Sequence, residues 1–160
     1  MPRFVGTFTN KIDAKGRVSV PAGFRAAAAG PGGFNGVSLY PAFTDAALEG
    51  GGRDLLDDVE AALDRLKLYG EEREAFEIAV LGEARELNFD ADGRVTLPAE
   101  FLDHATLNGQ ATFVGRGRRF QIWAPEVYAD KRAAARDKAR ELRELLDSPH
   151  ARGNGREAAE

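Results

Sequence analysis

Two short stretches of this chain place a carboxylate four residues before an arginine: Lys11-Ile12-Asp13-Ala14-Lys15-Gly16-Arg17 and, at an offset of 77, Asn88-Phe89-Asp90-Ala91-Asp92-Gly93-Arg94. Arginine and lysine on a turn are suited to phosphate oxygens and to base edges in a nucleic-acid groove. In the first stretch Lys11, Lys15 and Arg17 outnumber Asp13, a local charge of +2, whereas in the second Asp90 and Asp92 outnumber Arg94, a local −1. The first is therefore the expected main contact with DNA, through Lys11, Asp13, Lys15 and Arg17. The second reads as chiefly structural, with Arg94 a secondary candidate. Two readings of Asp13 stand. Its carboxylate accepts hydrogen bonds from the loop backbone or from Arg17, holding the guanidinium in place, or it closes an Asx-type turn without touching Arg17.

The elements that must carry these loops repeat with them. The same offset takes Gly16 to Gly93, Pro21 to Pro98 and Phe24 to Phe101, the mark of a duplicated supersecondary unit. Alternation predicts a strand over Phe4–Ile12, with Phe4, Phe8 and Ile12 facing inward, and a second over Val18–Val20, so that Asp13–Arg17 forms the hairpin connection. Pro21 opens a short helix to Ala29, which Gly30 closes before the loop 31–33. Val37–Tyr40 is a further strand. In the second copy Leu87–Phe89 and Val95–Leu97 are strands, Pro98 opens a helix, and Ala111–Val114 with Phe120–Trp123 form a hairpin around Gly115–Arg119. Longer helices are expected over Thr44–Tyr69, interrupted at Gly50-Gly51-Gly52, and over Pro125–Asp147. Neither half buries its sheet easily alone, so the fold class is mixed α+β with a mainly β core: a pseudo-two-fold tandem repeat with peripheral helices. The expected division is 1–76, 77–147 and a disordered tail over 148–160.

Composition narrows the function classes. With 160 residues, 43% hydrophobic content and no cysteine, the chain reads as one compact soluble protein without disulfides or thiolate metal sites. No membrane-length apolar run and no secretory signal is present, which gives a cytoplasmic expectation. The net charge of −4 conceals strong polarity, since residues 1–42 carry +4, residues 43–103 carry −11 and residues 104–147 carry +3. A basic segment beside an acidic one favours a fixed orientation on a polyanion.

Other constellations carry less. Asn88–Gly93 opens like a calcium loop, but Ala99 stands where a bidentate glutamate belongs and Pro98 interrupts it. His104 and His150 are the only histidines, too few for a metal site or a triad. No metal, no cofactor and no enzyme activity are expected. Arg116, Arg118 and Arg119 on the predicted hairpin turn are possible secondary DNA contacts or ordinary surface charge. Helix 131–146 carries a narrow apolar stripe through Ala135, Ala139, Leu142 and Leu146, suited to the protein's own core or to a neighbouring subunit.

The doubled Asp-x-x-x-Arg motif, the runs Gly16-Arg17-Val18-Ser19-Val20-Pro21 and Gly93-Arg94-Val95-Thr96-Leu97-Pro98, and the length together resemble the MraZ family over about residues 1–147. That resemblance implies two copies of the swapped-hairpin fold of AbrB-type DNA-binding proteins. It implies a bacterial transcriptional regulator of the cell-division and cell-wall gene cluster, usually a repressor. It further implies a ring-shaped homo-oligomer that binds short direct repeats of double-stranded promoter DNA in the nucleoid. The alternative is a structural or protein-interaction ring without specific DNA binding.

Overall fold

The computed structural model describes residues 3–30 and 34–147, so the loop 31–33 and the tail 148–160 lie outside the described residues. Residues up to Pro125 form one compact unit, and the residues from Glu126 onward form a second.

In chain order the first unit holds β1 (Thr7–Lys11), β2 (Arg17–Ser19), α1 (Ala22–Ala28), β3 (Gly36–Pro41), β4 (Ala47–Gly51), α2 (Asp54–Leu63) and α3 (Glu71–Phe76). A π-helical turn (Glu77–Leu81), β5 (Arg85–Asn88), β6 (Arg94–Thr96), α4 (Ala99–His104), β7 (Gln110–Gly115) and β8 (Phe120–Trp123) follow. Six strands make an antiparallel sheet in the order β1-β7-β8-β4-β3-β5, and β2 pairs with β6 in a separate two-stranded ribbon. The order is symmetric about the β8–β4 pair. Each half gives its first strand to the other half's hairpin, β1 to β7 and β5 to β3, so neither half completes its sheet alone.

The core lies between this sheet and the ribbon. Val18 and Val95 face each other across the ribbon and are buried, as are Phe24 and Phe101 on α1 and α4, which pack with Phe113, Phe120 and Ile122 of the sheet. Both helices begin right after a proline whose fixed φ suits the approach to a first turn, Pro21 and Pro98.

The structure corrects the sequence reading in three places. The predicted strand over Phe4–Ile12 breaks at Gly6, which takes φ +98°. Phe4 is buried against Phe24 and Phe120, but Phe8 stays 45% exposed and only leans its ring on Phe24. The predicted helix over Thr44–Tyr69 begins only at Asp54, because Ala47–Gly51 is strand β4 in the middle of the sheet. Gly50 and Gly51 are part of that strand and not helix breakers: a Cβ on Gly50 would lie 2.5 Å from the Phe120 ring, and one on Gly51 would lie 3.0 Å from Leu55. Finally, α3 and the π-helical turn occupy a stretch to which the sequence reading gave no element.

The second unit carries α5 (Pro125–Leu142, whose first residue closes the first unit) and α6 (Glu144–Asp147). Every residue from Ala129 to Asp147 is exposed, so within this chain the predicted apolar stripe covers no core. Among the described residues no helix is long and apolar enough to cross a membrane.

Candidate nucleic-acid interface

The ribbon and its two flanking loops carry the candidate residues Lys11, Asp13, Lys15, Arg17 and Arg94. Strand alternation turns Val18 and Val95 into the core and leaves Arg17, Ser19, Arg94 and Thr96 on the opposite face. Arg17 pairs with Thr96 and Ser19 with Arg94. The two arginines thus sit at diagonal corners of one polar face, about 7 Å apart along the strand direction.

Each loop is closed by the same local chemistry. The N–H of Asp13 donates to the carbonyl of Arg17 at 2.9 Å, and the N–H of Gly16 donates to the carbonyl of Asp13 at 3.0 Å. Asp90, Arg94 and Gly93 repeat this at 2.9 and 3.0 Å. Gly16 at φ +83° and Gly93 at φ +76° occupy the left-handed region that glycine enters without a Cβ clash. The loops are also tied across the pseudo-two-fold: the N–H of Val20 donates to Gly93 and that of Leu97 to Gly16. A change in one loop is therefore felt in the strand that carries the other.

The first reading of the aspartate holds: Asp13 accepts from both the loop backbone and Arg17, and the turn free of contact with Arg17 is not what forms. Asp13 Oδ1 accepts the backbone N–H groups of Lys15 and Arg17, each at 2.9 Å, an Asx-type turn, while Oδ2 accepts Arg17 Nε at 2.6 Å. Asp90 does the same with Asp92, Arg94 and Arg94 Nε, the last at 3.1 Å. The Arg17 N–H pointing at the carboxylate holds Asp13 below the usual carboxylate range; loss of hydration pulls the other way, and the Arg17 side chain and the Lys15 N–H reinforce the lowering. Asp90 is held low by the N–H of Arg94 first, and then by that of Asp92 and the Arg94 side chain.

What differs is the charge left over. The terminal nitrogens of Arg17 take no carboxylate among the described residues, and neither Lys11 nor Lys15 has an acidic partner there. Arg94 is held twice, by Asp90 and by Asp92 at 3.2 Å from its Nη2. The first loop presents unneutralised cations, and the second presents a guanidinium enclosed by carboxylates.

Arg25, which the sequence reading did not single out, adds a further asymmetry. Its guanidinium lies against Gly93, where a Cβ would meet it at 2.9 Å, and its Nη1 donates to the carbonyl of Val20 at 2.5 Å. With Asn35, Asp90 and Asp92 it lines a cleft of about 440 Å³ beside the second loop. The position 77 residues on is Leu102, which sits near Gly16. The +77 comparison could have found this difference, but only the tertiary packing shows that Arg25 serves the other copy's loop.

Arg116, Arg118 and Arg119 lie elsewhere. The β1–β7 register sets Lys11 against Gln110 and Thr7 against Val114, so the β7–β8 turn is at the far end of β7, about 14 Å or more from the first loop. Arg118 pairs with Asp58 at 2.9 Å, while Arg119 and Arg116 stand 3.8 and 4.0 Å from the buried Glu49. They edge an open groove of about 1160 Å³ whose floor includes Tyr40, Phe43, Leu63 and Phe76. Among the described residues no group of three or more His, Cys, Asp or Glu is arranged to hold a metal ion.

Comparison with known proteins gives a consistent picture. Residues 80–145 match the family model described as "MraZ protein, putative antitoxin-like". The chain is 45% identical over 152 residues to the transcriptional regulator MraZ of Parvibaculum lavamentivorans, covering 94% of each chain. It is 43% identical to that of Beijerinckia indica, over 92% of this chain and 90% of the relative. Against that of Azorhizobium caulinodans it is 40% identical over 159 residues, 99% of this chain and 98% of the relative. The doubled loop, the exchanged strands and this near-full-length similarity agree: the chain belongs to the MraZ family of transcriptional regulators.

Proposed function

We propose that this protein binds double-stranded promoter DNA sequence-specifically and represses the bacterial cell-division and cell-wall gene cluster, acting in the cytoplasm at the nucleoid. The observation that carries this reading is the state of Arg17. Its Nε is fixed by Asp13 while its outer nitrogens remain available beside Lys11 and Lys15. A preorganised guanidinium loses little freedom on meeting a base edge, and the two lysines supply phosphate contacts that position it. Asp13 would otherwise repel phosphate, and it acts here as the clamp. Arg94 and the arginines of the β7–β8 turn make secondary contacts at most, because carboxylates already hold Arg94 and Arg118 and stand near the other two.

One short loop gives modest affinity. A ring of copies presenting several first loops to consecutive direct repeats raises it through effective concentration. In this reading residues 1–76 and 77–147 are the two repeats of one DNA-binding unit. Titrating the protein into a duplex from its own upstream region at two salt concentrations tests the proposal. A shift for this duplex and not for a scrambled one, weakening as salt rises, is expected. Equal binding to both duplexes, or none by folded protein, overturns it in favour of an interaction ring without specific DNA binding.

A further inference from the structure

Alternation along β1 puts Asn10 in the same row as Phe8 and Ile12, a row that is otherwise apolar. Phe8 rests its ring on Phe24, and Ile12 packs against the core. The position 77 residues on is Leu87, which packs against the core from β5. The first copy thus carries an amide where the second carries a leucine. That amide reaches out of its own strand: Nδ2 of Asn10 donates to the carbonyl of Ser19 on β2 at 2.7 Å. The bond stands where the first hairpin comes apart. Behind the loop the two strands share the Asp13–Arg17 backbone bond and the Ile12–Val18 bridge, after which β1 joins β7 in the large sheet and β2 joins β6 in the ribbon. Asn10 ties them once more beyond that bridge. The second hairpin keeps the Asp90–Arg94 bond, but Phe89 and Val95 form no bridge among the described residues and Leu87 has no side-chain donor.

We infer that Asn10 is a positioning residue for DNA recognition: its bond to Ser19 sets the angle at which the first loop leaves the sheet, and so aims Arg17. This rests on the proposed contact through Arg17 and names what holds that contact in place. Arg17 opens β2 two residues before Ser19, so a shift of the Ser19 backbone carries the guanidinium with it. Asp13 fixes Arg17 relative to the loop, and Asn10 fixes the loop relative to the sheet. A recognition group keeps its geometry only as well as the hydrogen bonds behind it allow. The amide carries no charge, so it adds nothing to the attraction for phosphate. Its effect falls on specific binding alone.

The test is a double-mutant cycle on the full chain, read by mobility shift on the protein's own upstream duplex and on a scrambled one. Asn10→Leu, which installs the second copy's residue, should weaken specific binding about three- to tenfold. Binding to the scrambled duplex and the slope of log K against log salt should stay at their wild-type values. In an Arg17→Ala background the same change should cost nothing further, because the group that Asn10 aims is gone. If the leucine variant melts early, Asn10→Ala takes its place, since it adds no volume between Phe8 and Ile12. Losses that add in the double variant overturn positioning through Arg17, and so does specific binding left unchanged by the single variant. A wild type that does not tell the two duplexes apart overturns the DNA reading itself, and this inference with it.

Discussion

The two Asp-x-x-x-Arg loops share a backbone and differ in charge. Their turn hydrogen bonds agree to within 0.1 Å, both glycines take positive φ, and both aspartates clamp an arginine. Yet one loop ends in free cations and the other in a guanidinium held by two carboxylates with a second arginine beside it. The shared hydrogen bonds come from residues that are identical in both copies, Asp, Gly and Arg, and these fix the shape. The charge that each loop presents is set by the positions between them, which contribute only backbone groups to the shared turn bonds. Lys15 and Asp92 are the clearest case.

The comparison is tested most strongly by removing one arginine at a time. Arg17→Ala should weaken specific DNA binding by roughly 5- to 150-fold, the 1–3 kcal/mol range of a lost specific contact, with a melting temperature close to wild type. Arg94→Ala should cost several-fold at most, since it also releases two carboxylates toward the DNA. Equal losses in a mobility-shift titration would show the loops to be equivalent.

Exchanging the charges comes next. Lys15→Asp should lower affinity and reduce the slope of log K against log salt by about one phosphate contact, and Asp92→Lys should raise both. Arg25→Leu, which gives the first copy the residue found at its equivalent position, should leave the fold intact and weaken binding by a smaller factor, because it leaves Asp90 and Asp92 without the neighbouring cation.

Backbone substitutions separate the loops by stability. Gly16→Ala and Gly93→Ala both force a Cβ into positive φ, at a cost of about 1–3 kcal/mol. Gly16→Ala should be the more costly in chemical denaturation, because its Cβ meets the rigid backbone oxygen of Leu97 at 3.0 Å, whereas Gly93→Ala meets a guanidinium that can swing aside.

The smallest effect is on acid stability. Asp13 and Asp90 are held below their ordinary range in the folded state, so the stability each contributes is present above the unfolded carboxylate value of about 3.9. It is lost as pH falls through the folded value. Melting temperature should therefore drop below about pH 4, and Asp13→Asn with Asp90→Asn should flatten that limb. An unchanged acid limb would show that other carboxylates dominate.

Much of this was legible from local pattern. Gly16 and Gly93 marked the turns, Pro21 and Pro98 the helix starts, and the +77 comparison identified the loop with excess positive charge, because each depends on residues within a few positions of one another. The strand at Ala47–Gly51 was not legible. Its Gly50 is dictated by Phe120, about 70 residues away, and a local reading assigns three consecutive glycines to a break. The same limit hid Arg25, whose partner Gly93 belongs to the other copy.

The sequence by itself therefore determined that the fold is a duplicated strand–loop–strand–helix unit and which of its two loops is basic, since periodicity and charge are properties of neighbouring residues. Only the tertiary structure decided that the halves exchange strands, that Arg17 and Arg94 share one face of a ribbon, and that the β7–β8 arginines lie away from it beside Asp58 and Glu49. Those are outcomes of strand register and of which apolar faces bury one another, and pairing between distant segments leaves no mark on either segment alone.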